Sequence, residues 1–252
     1  MPKTSKVLQV LRLFGGSRKQ LRATDIASLF GVSPATAYRY VSELAEAGFI
    51  ERASAGHYVL GPTIVELDRE IRINDPLIAA ASEVMRTLCE RSGATIILSR
   101  LHGNKVVCVS EMRGRYGPTT VSYERGRAMP LYRGATSKVI FAHMAPAEIA
   151  AIAQRDASGL RKAGVPAARG ALVDYLAEIR ARPVYATAGE VDPEAMGWAV
   201  ALHHGKHLLG SLSAIYSKAT PEAARARIGD QLVRAGLRIE GRLEAPGHTS
   251  QT

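Results

Sequence analysis

The stretch GVSPATAYRYV, residues 31–41, puts a helix stop and a helix start within four positions. Gly31 favours the left-handed backbone that terminates helices. Ser33 is a good N-cap, and Pro34 suits a first helical position, where the N–H it lacks has no partner anyway. The residues on either side must therefore form two separate helices joined by a sharp turn. Their apolar positions agree with this. Ile26, Ala27, Leu29 and Phe30 make a buried side before the turn, behind Thr24 as the expected cap. After the turn Ala37, Val41 and Leu44 share one face with Tyr40 at its margin, and Gly48 ends the helix. Ala27, four residues before Gly31, is small enough for the two helices to cross closely.

That packing leaves Ala35, Thr36, Tyr38, Arg39 and Ser42 facing outward near the start of the second helix, beside the cap Ser33. A helix tip of this kind fits the major groove of DNA, where Arg pairs with guanine and Thr meets the thymine methyl. An apolar helix at 5–14, ended by Gly15-Gly16, precedes the pair. Two short strands at 49–52 and 57–60 follow, joined through Ser54-Ala55-Gly56. The pattern is a winged helix-turn-helix, with Arg52, His57 and Tyr58 available to the DNA backbone or minor groove. Lys3, Lys6, Arg18, Lys19 and Arg22 flank it as candidate phosphate contacts, which position a protein without reading sequence. The net charge of +10 agrees with a polyanionic partner, although solvated arginines alone would give the same figure.

Residues 62–73 read as a charged amphipathic helix, with Ile64, Leu67 and Ile71 against Glu66, Arg69 and Arg72, broken by Asn74-Asp75-Pro76. The expected division is a DNA-binding domain at 1–61, a linker helix at 62–75, a second domain at 76–245 and a disordered tail at 246–252. In the second domain a helix at 77–92 leads into a hairpin, ATIILSRL and KVVCVSEM, around His102-Gly103-Asn104. A strand at 119–123, helices at 135–144, 146–154 and 169–182, and a strand at 184–187 are expected next. A second hairpin, WAVALHH and HLLGSLSAIY, turns at Gly205-Lys206, and one helix is expected over 221–244. Helices mixed with hairpins predict an α+β domain on a mainly antiparallel sheet.

No run approaches the roughly 18 apolar residues of a membrane span. The apolar N-terminal stretch is interrupted by Gln9 and Arg12 and lacks a cleavage site. Cys89 and Cys108 are too few for a bridged scaffold and sit in apolar segments, so free buried thiols are expected. These features predict a cytoplasmic protein without membrane association. His203, His204 and His207 crowd one turn, but side chains alternate there and no cysteine or carboxylate pair stands at ligand spacing. The segments GATSK and GSLSA match neither a nucleophile elbow nor a phosphate loop. No catalytic residue, metal or cofactor is therefore expected. Two alternatives stay open: a small-molecule-processing enzyme with an accessory nucleic-acid domain, and a sensor using exposed, low-pKa thiols. The arginines at 113, 115, 125, 127 and 133 form a basic stretch suited to solvent or to an anionic ligand.

The segment LRATDIASLFGVSPATAYRYVSELAEAGFIERASAGHYVLGPTIVEL resembles the IclR family of bacterial transcription regulators. So do RAMPLYRGATSKVIFA and VYATAGEVDPEAMGWAVAL, which resemble the family's Pro-Leu … Lys … Ala segment and its Glu-containing loop. The resemblance implies a winged helix-turn-helix, a linker helix and a GAF-like α/β domain that binds a small organic effector. It implies homodimers joined through the DNA-binding domains, often paired into homotetramers, on a pseudo-palindromic operator. The function so implied is a ligand-responsive regulator, a repressor of a catabolic operon. Carried over by position, the effector pocket takes Tyr132, Ala135 and Thr136 near a helix start and Glu190, Trp198 and Ser213 from the loop and hairpin. Ser137, Tyr132 and Trp198 depart from the residues common in the family at those places. Tyr132 and Trp198 lean the effector towards an aromatic acid or derivative.

Overall fold

The computed structural model describes residues 5–15, 18–119 and 122–244, and its internal contacts divide the chain into two units between Asn74 and Asp75. Lys3, Gly16 and the tail at 246–252 lie outside the described residues. The first unit runs α1 (Lys6–Leu11), β1 (Leu21–Arg22), α2 (Ala23–Phe30), α3 (Pro34–Glu46), β2 (Ile50–Arg52), β3 (His57–Leu60) and α4 (Thr63–Asn74). Gly31 stands at φ 60°, ψ 45° as the left-handed cap of α2, and its N–H returns to the last carbonyls of that helix. Two residues later the Ser33 hydroxyl accepts the Thr36 N–H at 3.2 Å, and Pro34 opens α3. Between the helices lie Ile26, Ala27, Ala37, Val41 and Leu44, closed by Val10, Ile50 and Tyr58. Tyr40 is buried with them.

Thr24 is not the cap of α2. Leu21 and Arg22 are extended and pair with Tyr58 and His57 in a three-stranded sheet of order β1-β3-β2, so the helix begins at Ala23. The Asp25 carboxylate then reaches back to accept the Arg22 N–H at 2.8 Å. The wing strands meet through a 3₁₀ turn at Ser54–Gly56.

The second unit opens with α5 (Pro76–Ser92), capped by the Asp75 carboxylate, which accepts the Leu77 and Ile78 N–H groups at 2.8 and 3.2 Å. It continues through β4 (Thr95–His102), β5 (Lys105–Met112), β6 (Ala128–Pro130), α6 (Gly134–Ala142), α7 (Pro146–Arg155), α8 (Ala157–Lys162) and α9 (Arg169–Arg180). It closes with β7 (Tyr185–Ala188), β8 (Ala195–His204), β9 (His207–Ser217), α10 (Glu222–Arg225) and α11 (Ile228–Glu244). The strands form one sheet of order β6-β5-β4-β9-β8-β7, antiparallel at every pairing.

Strand alternation divides this core in two. Ile96, Leu98, Val200, Leu202, Leu212, Ala214 and Tyr216 pack with α5 and α11. Ile97, Ala199 and Ile215 pack on the other side, with Val139, Ile140 and Phe141 of α6 and with Leu172 and Leu176 of α9. The α+β architecture and antiparallel sheet follow the expectation, with differences of detail, among them the short helix α8, which the spacing did not predict. Of the segment expected as a strand at 119–123, residues 120 and 121 lie outside the described residues, and Thr119, Ser122 and Tyr123 belong to no strand. The strand at that edge is instead β6, paired with β5, and β7 forms the other edge. The helix expected over 221–244 is interrupted at Ala226 and Arg227, which form a turn between α10 and α11.

Candidate functional site

On the first unit, Ala35, Tyr38, Arg39 and Ser42 project from α3 into solvent beside the exposed cap Ser33, because Ala37, Tyr40, Val41 and Leu44 hold the opposite face. Tyr38 is 56% exposed. The Thr36 hydroxyl sits 2.9 Å from the Ser33 hydroxyl at the first turn. The Arg39 guanidinium lies 3.8 Å from the Glu43 carboxylate, and both side chains are more than half exposed. Such a pair holds little energy and leaves the guanidinium free to turn towards a base or phosphate.

The wing carries its own cations. Arg52 donates to the Tyr58 hydroxyl at 3.3 Å, and this bond holds its already high pKa higher still. His57 is tied by two bonds. Its Nε2 accepts from Arg22 Nε at 3.0 Å, and its Nδ1 lies 3.2 Å from the Ser54 carbonyl. Because Arg Nε can only donate, the neutral ring carries its proton on Nδ1 and donates it to Ser54. Arg22, expected only as a flanking phosphate contact, thus stands beside His57 on the wing.

On the second unit, α6 begins against the sheet. Its first two backbone donors are taken by the segment before and after β7's end: the Gly134 N–H by the Glu190 carboxylate at 3.0 Å and the Ala135 N–H by the Thr187 hydroxyl at 3.0 Å. The other oxygen of Glu190 accepts from Lys138 Nζ at 2.8 Å. Lys138 is 4% exposed, so this ion pair supplies its counter-charge. Arg133 clamps the Glu190 carbonyl with two bonds, at 3.1 and 2.6 Å. Asp192, further along the loop, accepts from the Ser122 N–H at 2.9 Å and from its hydroxyl.

Ala135, Thr136 and Glu190 line a cleft completed by Tyr123, Thr187, Asp192, Gly197 and Ile215. It holds about 30 Å³ of free space, room for little more than a water molecule. Tyr123 is buried and its hydroxyl bonds the Arg133 carbonyl at 2.8 Å and the Ser137 hydroxyl at 2.7 Å; burial pushes its phenol pKa up. Beneath the same helix start, the Ser211 hydroxyl donates to the Thr136 carbonyl at 3.1 Å. Ser213 is fully buried on this face of the sheet, and its hydroxyl has no hydrogen-bond partner among the described residues.

Ser213 thus shares the face but is not among the residues that line the cleft, and two further expected pocket residues lie elsewhere altogether. Trp198 lies between Gly197 and Ala199, which face the cleft side, so alternation sends its ring to the opposite face, against the α5 and α11 core. Tyr132 turns towards α8, where its hydroxyl donates to the Asp156 carboxylate that caps that helix; burial and this bond push its pKa up to about 12. Thr187, Asp192, Tyr123 and Lys138 were missed. Lys138 stood in a quoted motif, and Thr187 could have been found by pairing β7 with β8, which sets Thr187 opposite Gly197.

Elsewhere, His203 packs against His143, ring centroids 5.2 Å apart, and its backbone N–H donates to Glu240. Cys89 and Cys108 are both buried and free, and burial pushes the Cys108 thiol up to about 12. Among the described residues no helix is long and apolar enough to cross a membrane.

Residues 4–54 match the IclR helix-turn-helix domain, and residues 73–234 match the bacterial transcriptional regulator IclR C-terminal domain. Over 245 residues, 96% of either chain, the sequence is 27% identical to the HTH-type transcriptional regulator XynR of Escherichia coli. The fold is shared with an IclR family transcriptional regulator from Brucella abortus, at TM-score 0.77 and 20% identity over 96% of this chain and 91% of that one. It is shared also with an IclR homolog of Microbacterium hydrocarbonoxydans complexed with 4-hydroxybenzoate, at TM-score 0.74 and 21% identity over 95% and 98%.

Proposed function

We infer the role of this chain from one premise, that it belongs to the IclR family of bacterial transcriptional regulators: a DNA-binding helix-turn-helix unit is governed by an effector-binding domain. The proposal is a repressor of a catabolic operon that reads a pseudo-palindromic operator. Ala35, Thr36, Tyr38, Arg39 and Ser42, with Ser33 at the helix start, enter the major groove, and Arg52 and His57 hold the flanking backbone. The observation that carries this reading is the outward tip of α3, polar and exposed, locked in place by the Gly31 stop and the Ser33 cap.

The proposed assembly is a homodimer, itself paired into a tetramer. Its support is α4, which buries none of its residues and leaves Leu67 and Ile71, one turn apart on the same face, exposed where a second copy would cover them. The proposed division remains a DNA-binding domain at 1–61, a linker at 62–75 and an effector domain at 76–245.

The proposed effector is a small organic acid, aromatic or a derivative of one, taken up in the cleft at the start of α6 that Ala135, Thr136 and Glu190 line, with Ser213 on the sheet face beside it. With Trp198 and Tyr132 turned elsewhere, support for an aromatic ring comes from Tyr123 in the cleft wall and from the 4-hydroxybenzoate carried by the Microbacterium relative. Effector binding shifts the population between conformers that hold two reading heads at different separations, for which a few kcal/mol of differential affinity suffice. A thermal-shift screen of aromatic and short-chain acids tests this, with each hit assayed for a change in operator affinity. An acid that stabilises the chain and alters operator binding is expected; hits that stabilise it without moving operator affinity would contradict the coupling.

A further inference from the structure

The cleft at the start of α6 already holds a carboxylate, and it belongs to the chain. We propose that Glu190 is a built-in occupant of the effector's anion subsite, and that an effector binds by taking its place on Gly134 and Lys138. The inference rests on the reading of this cleft as the effector site.

The two oxygens of Glu190 bridge two donors, Gly134 N–H at 3.0 Å and Lys138 Nζ at 2.8 Å. One carboxylate spans them, which is the shape of ligand those donors select. The partners are unequal in their freedom to leave. Lys138 is 4% exposed and Glu190 31%, so the glutamate can swing out to water while the lysine cannot. A buried ammonium left without a counter-charge is strongly unfavourable, so Glu190 can be released only as another anion arrives. A neutral molecule of the same shape cannot make the exchange. The ligand class is therefore a monocarboxylate.

Space points the same way. An aromatic ring needs a cavity of roughly 150 Å³, far beyond the free volume left while Glu190 fills the cleft. Ser213 supplies an independent sign of a missing partner: a fully buried hydroxyl, unpartnered among the described residues, on the β9 face between Ser211, which bonds the Thr136 carbonyl, and Ile215, which lines the cleft. Release of Glu190 also reports outward, because its loop is tied to Arg133 through the Glu190 carbonyl and to Ser122 through Asp192.

The test is calorimetric titration of the full chain with benzoate and with its neutral isostere benzamide. It compares wild type, E190Q, E190A and E190A/G197L. E190Q keeps an acceptor for Gly134 should E190A fold poorly. Leucine at 197 fills the cleft, since a Cβ there meets only Ala135, at 3.9 Å. Displacement predicts that E190Q and E190A bind benzoate at least ten-fold more tightly than wild type, that benzamide gains nothing, and that G197L abolishes the gain. Benzoate binding that is unchanged or weaker in both Glu190 variants overturns displacement. The cleft reading still stands in that case if G197L abolishes binding of an acid identified by screening. A gain that survives G197L places the anion outside the cleft and sinks the cleft reading as well.

Discussion

Trp198 meets Tyr216 edge to face, ring centroids 5.7 Å apart at 88°, on the side of the sheet away from Thr187 and Glu190. Its chain neighbours Gly197 and Ala199 face the other way, Gly197 into the cleft and Ala199 into the core beneath α6. One strand thus serves two layers, and a single residue's shift in register changes which layer a side chain belongs to.

This sidedness makes opposite predictions for adjacent residues. W198F should lower the thermal midpoint through lost packing yet leave effector affinity within about two-fold. G197L should abolish effector binding while DNA binding without effector persists. Calorimetry with any acid found by screening checks both, and an effector affinity that collapses in W198F would return the indole to the site.

Arg39 is held by a long, solvent-exposed contact to Glu43 and, at the edge of reach, by the Tyr40 ring, 5.8 Å from its centroid. If its guanidinium reads a base, R39A should cost about 1–3 kcal/mol of operator affinity and relax preference at one operator position. Fluorescence anisotropy on operator variants measures this. An unchanged affinity would remove Arg39 from the reading surface.

Ser33 ties the first turn of α3 to its cap by accepting the Thr36 N–H. S33A should therefore destabilise that helix by about 0.5–2 kcal/mol, read as faster amide exchange at α3 in the full chain. Exchange at α5 should not change.

His143 lies half-buried against His203, with Arg180 near; burial lowers its pKa, His203 and Arg180 lower it further, and its bond to the Val139 carbonyl works in the opposite direction. A group whose folded pKa lies below its unfolded value, about 6.5 for His, contributes stability at higher pH that is lost as pH falls. The thermal midpoint should therefore drop below about pH 6.5, and H143Q should flatten that part of the profile. Equal slopes in both proteins would show that other groups set the acid side.

The reading head was legible in the sequence because its determinants are local. Gly31, Ser33 and Pro34 act on their own neighbours, and helical spacing alone separated Ala37, Val41 and Leu44 from Tyr38 and Arg39. Thr24 misled because the pairing that keeps Arg22 extended comes from β3, 35 residues away along the chain. The cleft was only half legible for the same reason. Ala135, Thr136 and Glu190 could be placed by motif, whereas the face on which Trp198 lies depends on where β8 starts. Tyr123 and Asp192 act through bonds to Ser137 and Ser122 that no spacing announces.

Sequence-specific grip on duplex DNA is the central claim, and anisotropy titrations test it most directly. The full chain is titrated with DNA from upstream of its own gene and with a shuffled duplex of equal length, across roughly 50–200 mM salt. Specific binding should exceed binding to the shuffled duplex by about 10³-fold or more at physiological salt, with R39A narrowing the gap. Equal affinities for the two duplexes, both vanishing together as salt rises, would contradict it.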